Sequence, residues 1–180
     1  MKNPRTVIMF QNTASLPVTT HTSTDTDQDP FSTRFGSDHR LPRGLREESA
    51  GMSWPLFTAT YAPAADIRVT RLDAIRGRGG QQHYSVELTR TSKTTQPVTE
   101  TRNITAMGPA SAVTHLLAEA GRHVEILSFH QAELFEATVT FVKVAHQHNE
   151  NRQCWAIGFG PTPDASIASA LASGAQRIYG

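Results

Sequence analysis

A Gly-Pro pair stands before a helix-like segment at two places in this chain, and this repetition constrains the fold more than any other feature. Gly108-Pro109 and Gly160-Pro161 lie 52 positions apart, and each follows a run of short strand-like segments. Proline suits the first turn of a helix, because its missing N–H has no partner there. The chain is therefore predicted to form an α+β fold of two pseudo-symmetric βββα units that arose by internal duplication.

The first unit, predicted at residues 64–121, opens with three strands. Apolar residues alternate over residues 66–75 with one break, which predicts a strand with a bulge. The alternation over residues 83–90 has no break and is typical of a strand with one face in water. Residues 98–104 are rich in threonine and charge, so we expect a strand at the edge of the sheet or along a binding site.

The helix of the first unit has both a start signal and a stop signal. Gly108 is placed to cap this helix, Pro109 takes its first position, and Gly121 is placed to end it. The apolar positions recur with helical spacing, and they are Val113, Leu116, Leu117 and Ala120.

The second unit, predicted at residues 122–180, repeats this order. Its strands are expected at residues 124–129, 137–144 and 153–159. The middle strand is apolar on both faces, so we expect a central strand that a helix covers on one side and a partner on the other. Thr162 and Pro163 predict the start of the last helix. Its buried stripe is predicted to consist of Ile167, Ala170, Leu171, Gly174 and Ile178.

Residues 1–53 are predicted to form a disordered leader. They are mostly polar or proline and glycine, and their apolar side chains follow no period. Such a segment buries too little apolar area to offset the entropy that ordering removes. The basic residues in it favour a solvated linker over a docking arm; they are Arg34, Arg40, Arg43 and Arg46. The folded domain, residues 54–180, is expected to begin with a short helix that has Trp54, Phe57 and Tyr61 on one side.

Composition excludes several classes of partner and compartment. Lys and Arg total 17 against 16 Asp and Glu, so the net charge of +1 gives no argument for nucleic acid or for an anionic membrane. No segment has the roughly 20 apolar residues that span a bilayer. The single cysteine, Cys154, can form no internal disulfide, which fits a reducing compartment. We therefore expect a cytoplasmic protein.

Three motifs, in this order, resemble a known family. They are Gly108-Pro109 with a helix behind it, residues 124–129 leading into Gln131-Ala132, and Trp155-Ala156-Ile157-Gly158 before the last helix. Together they resemble the carboxy-terminal regulatory domain of 2-isopropylmalate synthase, also present in citramalate synthase, over roughly residues 54–179. The resemblance implies a pair of βββα units that mediates dimerisation and binds an end-product inhibitor, leucine or isoleucine, near the subunit interface.

The resemblance also implies an effector site made from separate parts of the chain. The match to the loop and helix start that approach the inhibitor consists of Gly108, Pro109, Ala110 and Ser111. The unpaired N–H groups of a helix start suit the carboxylate of an amino acid. Ile126 and Phe129 match positions that line the apolar part of the pocket. Ordinary capping and core packing are the alternative roles of these residues.

The chain departs from the family pattern at two places. Ala106 stands where the family has a glycine, which restricts the backbone. The loop that helps to close over the effector is shortened to residues 132–136. Either Glu133 or Glu136 replaces an acidic contact to the ligand's ammonium group, or the simpler reading holds and leucine sensing is altered or lost.

We expect no catalytic residue, cofactor or metal in this chain. The family's chemistry uses a TIM barrel of about 250 residues, which does not precede Trp54 here. His146-Gln147-His148 lies in a polar turn and is interpreted as surface histidines rather than metal ligands. Cys154 lies in an apolar strand, so a packed thiol is favoured over a nucleophile.

The sequence therefore predicts a non-catalytic regulatory and dimerisation domain of leucine biosynthesis. Its expected ligand is a leucine-type amino acid, and its expected partner is a second copy of itself or a separately encoded synthase barrel. One alternative is a structural assembly module that binds no small molecule. Another is the non-catalytic subunit of a split acyltransferase, which would show activity only after mixing with its barrel.

Overall fold

The computed structural model describes residues 29–36, 40–77, 79–92 and 94–180, apart from the side chain of Arg76. Three helices come first: α1 (Pro30–Phe35), α2 (Arg43–Ser49) and α3 (Trp54–Tyr61). The next four elements are β1 (Ile67–Arg76), β2 (Gln82–Arg90), β3 (Val98–Ala106) and α4 (Pro109–Glu119). The last four are β4 (Val124–Leu134), β5 (Ala137–His146), β6 (Asn149–Gly160) and α5 (Pro163–Tyr179).

The strands form two antiparallel sheets of three, ordered β1-β2-β3 and β4-β5-β6, and a helix follows each sheet in the chain. The predicted α+β fold of two βββα units is therefore confirmed. The first strand of each unit carries a register shift of the same kind, between Val69 and Arg71 in β1 and between Ile126 and Ser128 in β4. The two units thus share a bulge as well as an element order.

The first unit buries the face that the sequence predicted. Tyr84, Val86 and Leu88 of β2 are all buried, and β3 lies at the edge of its sheet as expected. Helix α4 begins after Gly108 and ends at a glycine with a φ of 77°, which is Gly121. The N–H of Gly121 bonds to the carbonyl of Ala118 and the next N–H bonds to that of Leu117, at 2.9 and 2.8 Å, so a Schellman motif closes the helix.

Helix α5 packs very closely on the second sheet because three glycines leave room for it. A Cβ at Gly158 would lie 2.0 Å from the backbone nitrogen of Ala170, and one at Gly160 would lie 2.4 Å from that of Ser166. On the helix, a Cβ at Gly174 would lie 2.8 Å from a methyl group of Val144. The predicted small-sided stripe of α5 therefore packs against a sheet that is equally small-sided.

The other face of the second sheet is covered by residues that precede Trp54, so the predicted extent of the disordered leader was wrong. Phe31, Leu41 and Leu45 are buried with Phe57, and they pack against the Phe141 face of β5 and β6. The part of the predicted leader at residues 1–28 and 37–39 lies outside the described residues. The ordered domain thus includes residues that the composition assigned to a linker.

A single buried carboxylate organises this amino-terminal segment. Asp29 Oδ1 accepts hydrogen bonds from the N–H groups of Phe31 and Ser32, both at 2.8 Å, and so caps α1. Its Oδ2 accepts from the N–H of Leu41 at 3.1 Å and thereby fixes the returning chain. Of the basic cluster, Arg34 lies in α1 and two more residues, Arg43 and Arg46, lie in α2, so these positions are helical rather than part of a solvated linker.

The central strand β5 is apolar on both faces, as predicted, but helices of this chain cover the face that was expected to contact a partner. Val139 and Phe141 face α1–α3, whereas Val142 and Val144 face α5. The apolar character of residues 139–144 was the sequence argument for a dimer, and it no longer supports one. Among the described helices, none is both long and apolar enough to cross a membrane.

Candidate effector site

The start of α4 has backbone N–H groups that suit an anion, and no side chain at the cap position accepts a hydrogen bond from them. Gly108 is the cap residue and provides no side-chain hydrogen bond, so the N–H groups of Ala110 and Ser111 are left for another acceptor. The backbone of Gly108 is extended, with a φ of −179°, and a Cβ there would meet nothing within 4 Å. The fold therefore does not require glycine at this position.

The neighbouring residues of the helix start have structural roles as well. Ala110 packs against the main apolar core, and the carbonyl of Ser111 accepts a hydrogen bond from the Thr114 hydroxyl at 3.0 Å. Gly108, Pro109 and Ser111 are all half-buried. The helix start is thus partly accessible to solvent.

An exposed apolar stretch lies on the edge strand β4. The exposed fractions of Ile126, Leu127 and Phe129 are 36, 53 and 42%. Ile126 is opposite Val144 and Phe129 is opposite Val142, so both extend the sheet face that α5 covers further in. Helix α4 contacts β4 as well. Ile126 and Phe129 therefore lie beside the core without being part of it.

Leu127 was not among the predicted site residues, although it is the most exposed of the three. It lies at the bulge of β4, which turns its side chain away from the alternation of the strand. Ile126 and Leu127 are adjacent, between Glu125 and Ser128, and adjacent apolar residues cannot share one face of a regular strand. That adjacency was the available signal.

The two acidic candidates lie elsewhere on the same hairpin. Glu133 and Glu136 are exposed, and β4 continues to Leu134, so the loop consists of a tight turn. At about 3.3 Å per residue, Glu133 lies roughly 20 Å along the strand from Ile126. A single amino acid cannot contact both.

Gln131 separates these two regions on the face of β4 that carries Phe129. Its Nε2 donates to the Thr140 hydroxyl at 2.9 Å and lies 3.1 Å from the carbonyl of Pro163 at the start of α5. The structure therefore divides the eight predicted residues among the helix start, the apolar stretch of β4, the far end of β4 with Glu133, and the β4–β5 turn with Glu136.

The remaining reactive side chains have local partners. Burial raises the pKa of the Cys154 thiol above its ordinary value of 9.0, and its Sγ lies 3.9 Å from the carbonyl of Gly174. The ring of His146 lies 5.0 Å from that of Tyr179, and its Nδ1 accepts from the N–H of His148 at 3.1 Å. Within the described part of the chain, no three His, Cys, Asp or Glu residues are grouped as metal ligands would be.

Neither the models of known protein families nor the curated proteins compared with this chain contain a match.

Proposed function

We propose that this chain is a non-catalytic regulatory and association domain of the 2-isopropylmalate synthase type, acting in the cytoplasm in leucine biosynthesis. In this proposal the domain binds a leucine-type amino acid and associates with a second copy or with a separate synthase chain. The observation that carries it is the exposed apolar stretch of the edge strand β4, residues 126–129.

The two bulges support an association surface in the second unit. In β1 the bulge residue is Thr70, whose hydroxyl donates to the carbonyl of Glu87 at 3.2 Å within its own sheet. In β4 the bulge residue is Leu127, which is 53% exposed and apolar. An edge strand with exposed apolar side chains and unpaired backbone groups favours pairing with another chain.

The chemical groups at the start of α4 and on β4 support the effector part of the proposal. The unpaired N–H groups at the start of α4 suit a carboxylate, and Ile126 and Phe129 suit a branched aliphatic side chain.

A structural assembly module without a ligand is the second candidate, and the separation of the acidic residues favours it. The ammonium group of a bound amino acid needs an acceptor. Glu133 is roughly 20 Å from Ile126 by strand length and Glu136 lies beyond the end of β4, so neither can serve a ligand that contacts Ile126.

A thermal-shift panel of leucine, isoleucine, valine and lysine separates the two candidates. We expect a leucine-type amino acid at millimolar concentration to raise the melting temperature of the purified chain, because it binds only the folded state. Lysine is the control, since its charged end does not suit Phe129. If none of the four raises the melting temperature, the effector part fails and the assembly module remains.

Sedimentation velocity of two matched variants tests the association surface. Leu127→Lys places a charge on β4 and is expected to convert dimers into monomers. Leu56→Lys places the same charge on α3 at a leucine that is also 53% exposed, and it should leave association unchanged. If the wild-type chain is a monomer, self-association is contradicted, and the separate synthase barrel becomes the partner to be tested by mixing.

A further inference from the structure

A cleft of about 330 Å³ lies where the connection between α3 and β1, the first sheet and α5 meet. One wall is the connection of small residues at 62–65, and Arg68 of β1 lies on another side. Ser169 and Ser173 of α5, one turn apart, also line it, and Phe159 of β6 completes the lining. None of the residues predicted for the effector site contributes to it.

The polar groups of this cleft match an anion. Arg68 is exposed, and no carboxylate of the described residues lies within ion-pair distance of it. Ser169 is half-buried and its hydroxyl has no hydrogen-bond partner among the residues that the structure describes. Ser173 is almost fully buried, and its hydroxyl donates to the carbonyl of Pro63 at 3.4 Å. This hydrogen bond joins α5 to the connection at residues 62–65.

The rest of the lining is apolar and small. Alanine and proline side chains leave the volume open, and the ring of Phe159 offers an apolar surface. The volume lies at the lower end of the range for small-molecule sites, about 300 to 1,000 Å³. The cleft thus has room for a short aliphatic chain next to one charged group.

We propose that this cleft binds a small aliphatic monocarboxylate. The guanidinium of Arg68 pairs with the carboxylate, the Ser169 hydroxyl donates to the same group, and the aliphatic chain packs against Phe159 and the residues at 62–65. This site is separate from the proposed effector site and does not depend on it.

The charge of the lining distinguishes a carboxylic acid from an amino acid. No Asp or Glu lines the cleft among the described residues. An ammonium group placed there would lose water without gaining an acid partner, and it would lie near Arg68. The cleft therefore favours 4-methylpentanoate, which is leucine without its amino group, over leucine itself.

Isothermal titration calorimetry of the full chain with three probes of similar shape tests this preference. We expect heat of binding from 4-methylpentanoate and none at this site from 3-methylbutylamine, which has the opposite charge. Leucine that binds while 4-methylpentanoate does not overturns the cleft proposal and sustains the effector site. Binding of 4-methylpentanoate but not of leucine sustains the cleft proposal and overturns the effector site.

Three variants locate the binding. Arg68→Gln is expected to weaken 4-methylpentanoate about tenfold or more, because it removes a charge-assisted pair. Ser169→Leu fills the cleft from α5 and should abolish binding. Arg71→Gln is the matched control on the same strand, since Arg71 pairs with Asp73 at 2.6 Å and does not line the cleft.

The outcome that overturns the proposal is equally specific. Affinity for 4-methylpentanoate that is unchanged in both Arg68→Gln and Ser169→Leu places the ligand elsewhere. An equal loss in Arg71→Gln shows an effect of net charge rather than a site. Melting temperatures of the three variants within a few degrees of the wild type verify that each one is folded.

Discussion

Three glycines determine how closely α5 approaches its sheet. Gly158 and Gly160 lie on β6 and Gly174 lies on α5, and each faces an atom that a Cβ would strike. Helices usually pack on sheets through larger side chains, which hold the two backbones apart. Because these three positions are glycine, the backbone of α5 lies close to that of the sheet. Because interiors are packed as densely as crystals, the helix cannot shift to admit one more methyl group without losing other contacts.

Gly158→Ala is therefore expected to destabilise the protein by about 3 kcal/mol, which is the upper end for overpacking. The new methyl group would meet backbone atoms of Ala170 and Ser166, at 2.0 and 2.4 Å, and neither can rotate away. Urea denaturation of both proteins measures the difference.

Gly108→Ser is the matched control for that substitution. It also adds a side chain to a glycine, but nothing lies within 4 Å of its Cβ, and a serine hydroxyl can cap α4. We expect no loss of stability. A loss as large as that of Gly158→Ala would contradict the packing argument, since the two sites would then not differ.

Among the elements, the amino-terminal helices α1–α3 complete the core of the second unit. They carry an aromatic cluster in which the ring of Phe31 lies 5.3 Å from that of Phe141, edge to face. The indole of Trp155 lies beneath α2, with its Nε1 3.2 Å from where a Cβ of Gly44 would be. Without this segment, the Phe141 face of β5 and β6 would be exposed to water.

Phe31→Ala tests whether this segment contributes to the fold. Phe31 is fully buried, and truncating a buried phenylalanine costs about 3–5 kcal/mol, because it leaves a cavity. Phe135→Ala is the control, since Phe135 at the β4–β5 turn is 100% exposed and its loss should change stability by less than about 0.5 kcal/mol. Equal denaturation midpoints for the two variants would mean that the segment is detached in solution.

The regular elements could be predicted from the sequence because their signals are local. Alternation in β2, the bulge in β1 and the caps of α4 and α5 each depend on residues a few positions apart. The short helix with Trp54, Phe57 and Tyr61 was predicted as well, and it is α3. Helices α1 and α2 have only six and seven residues and scattered apolar positions, so their order comes from contact with β5 and β6. Asp29-Pro30 is a local start signal for α1. It was not recognised, because the polar residues around it predicted a disordered segment.

The candidate site could be predicted only in part for a similar reason. The free helix start at Gly108 follows from a Gly-Pro pair, which is local. The distance between Ile126 and Glu133 depends on how far β4 continues, and the sequence placed a loop where the strand extends to Leu134. The cleft near Arg68 is lined by residues about 100 positions apart in the sequence, so no local pattern could predict it.

At the scale of the whole molecule, polar contacts add to the apolar cluster that joins the two units, in which Leu88 and Leu117 of the first lie with Val142 and Leu171 of the second. Arg122 at the start of the second unit pairs with Asp66 at the start of the first, and both bond to Gln176 of α5, at 3.3 and 3.1 Å. At the next residue of α5, the guanidinium of Arg177 lies 4.9 Å from the ring centroid of Tyr61. Helix α5 is therefore the element that connects both units and the amino-terminal segment.

The buried position of Tyr61 makes this assembly sensitive to alkaline pH. Burial, and next the charge of Glu48, raise the pKa of Tyr61 above its ordinary value of 10.0; burial likewise raises the pKa values of Tyr84 and Cys154. The unfolded chain therefore releases these protons at lower pH than the folded chain does. Their contribution to stability is fully present below the ordinary pKa values and is lost as pH rises through the folded ones.

We expect the urea midpoint of the wild type to be constant from about pH 7 to 8 and to fall above about pH 9 to 10, where these groups begin to ionise in the unfolded state. Tyr61→Phe keeps the ring beneath Arg177 and removes the proton, so its midpoint should fall less steeply over the same range. Parallel curves for the two proteins would show that Tyr61 ionises equally easily in both states, which contradicts its burial in the folded protein. Tyr84→Phe, measured alongside, reports the same effect in the first unit and separates it from the attachment of the amino-terminal helices.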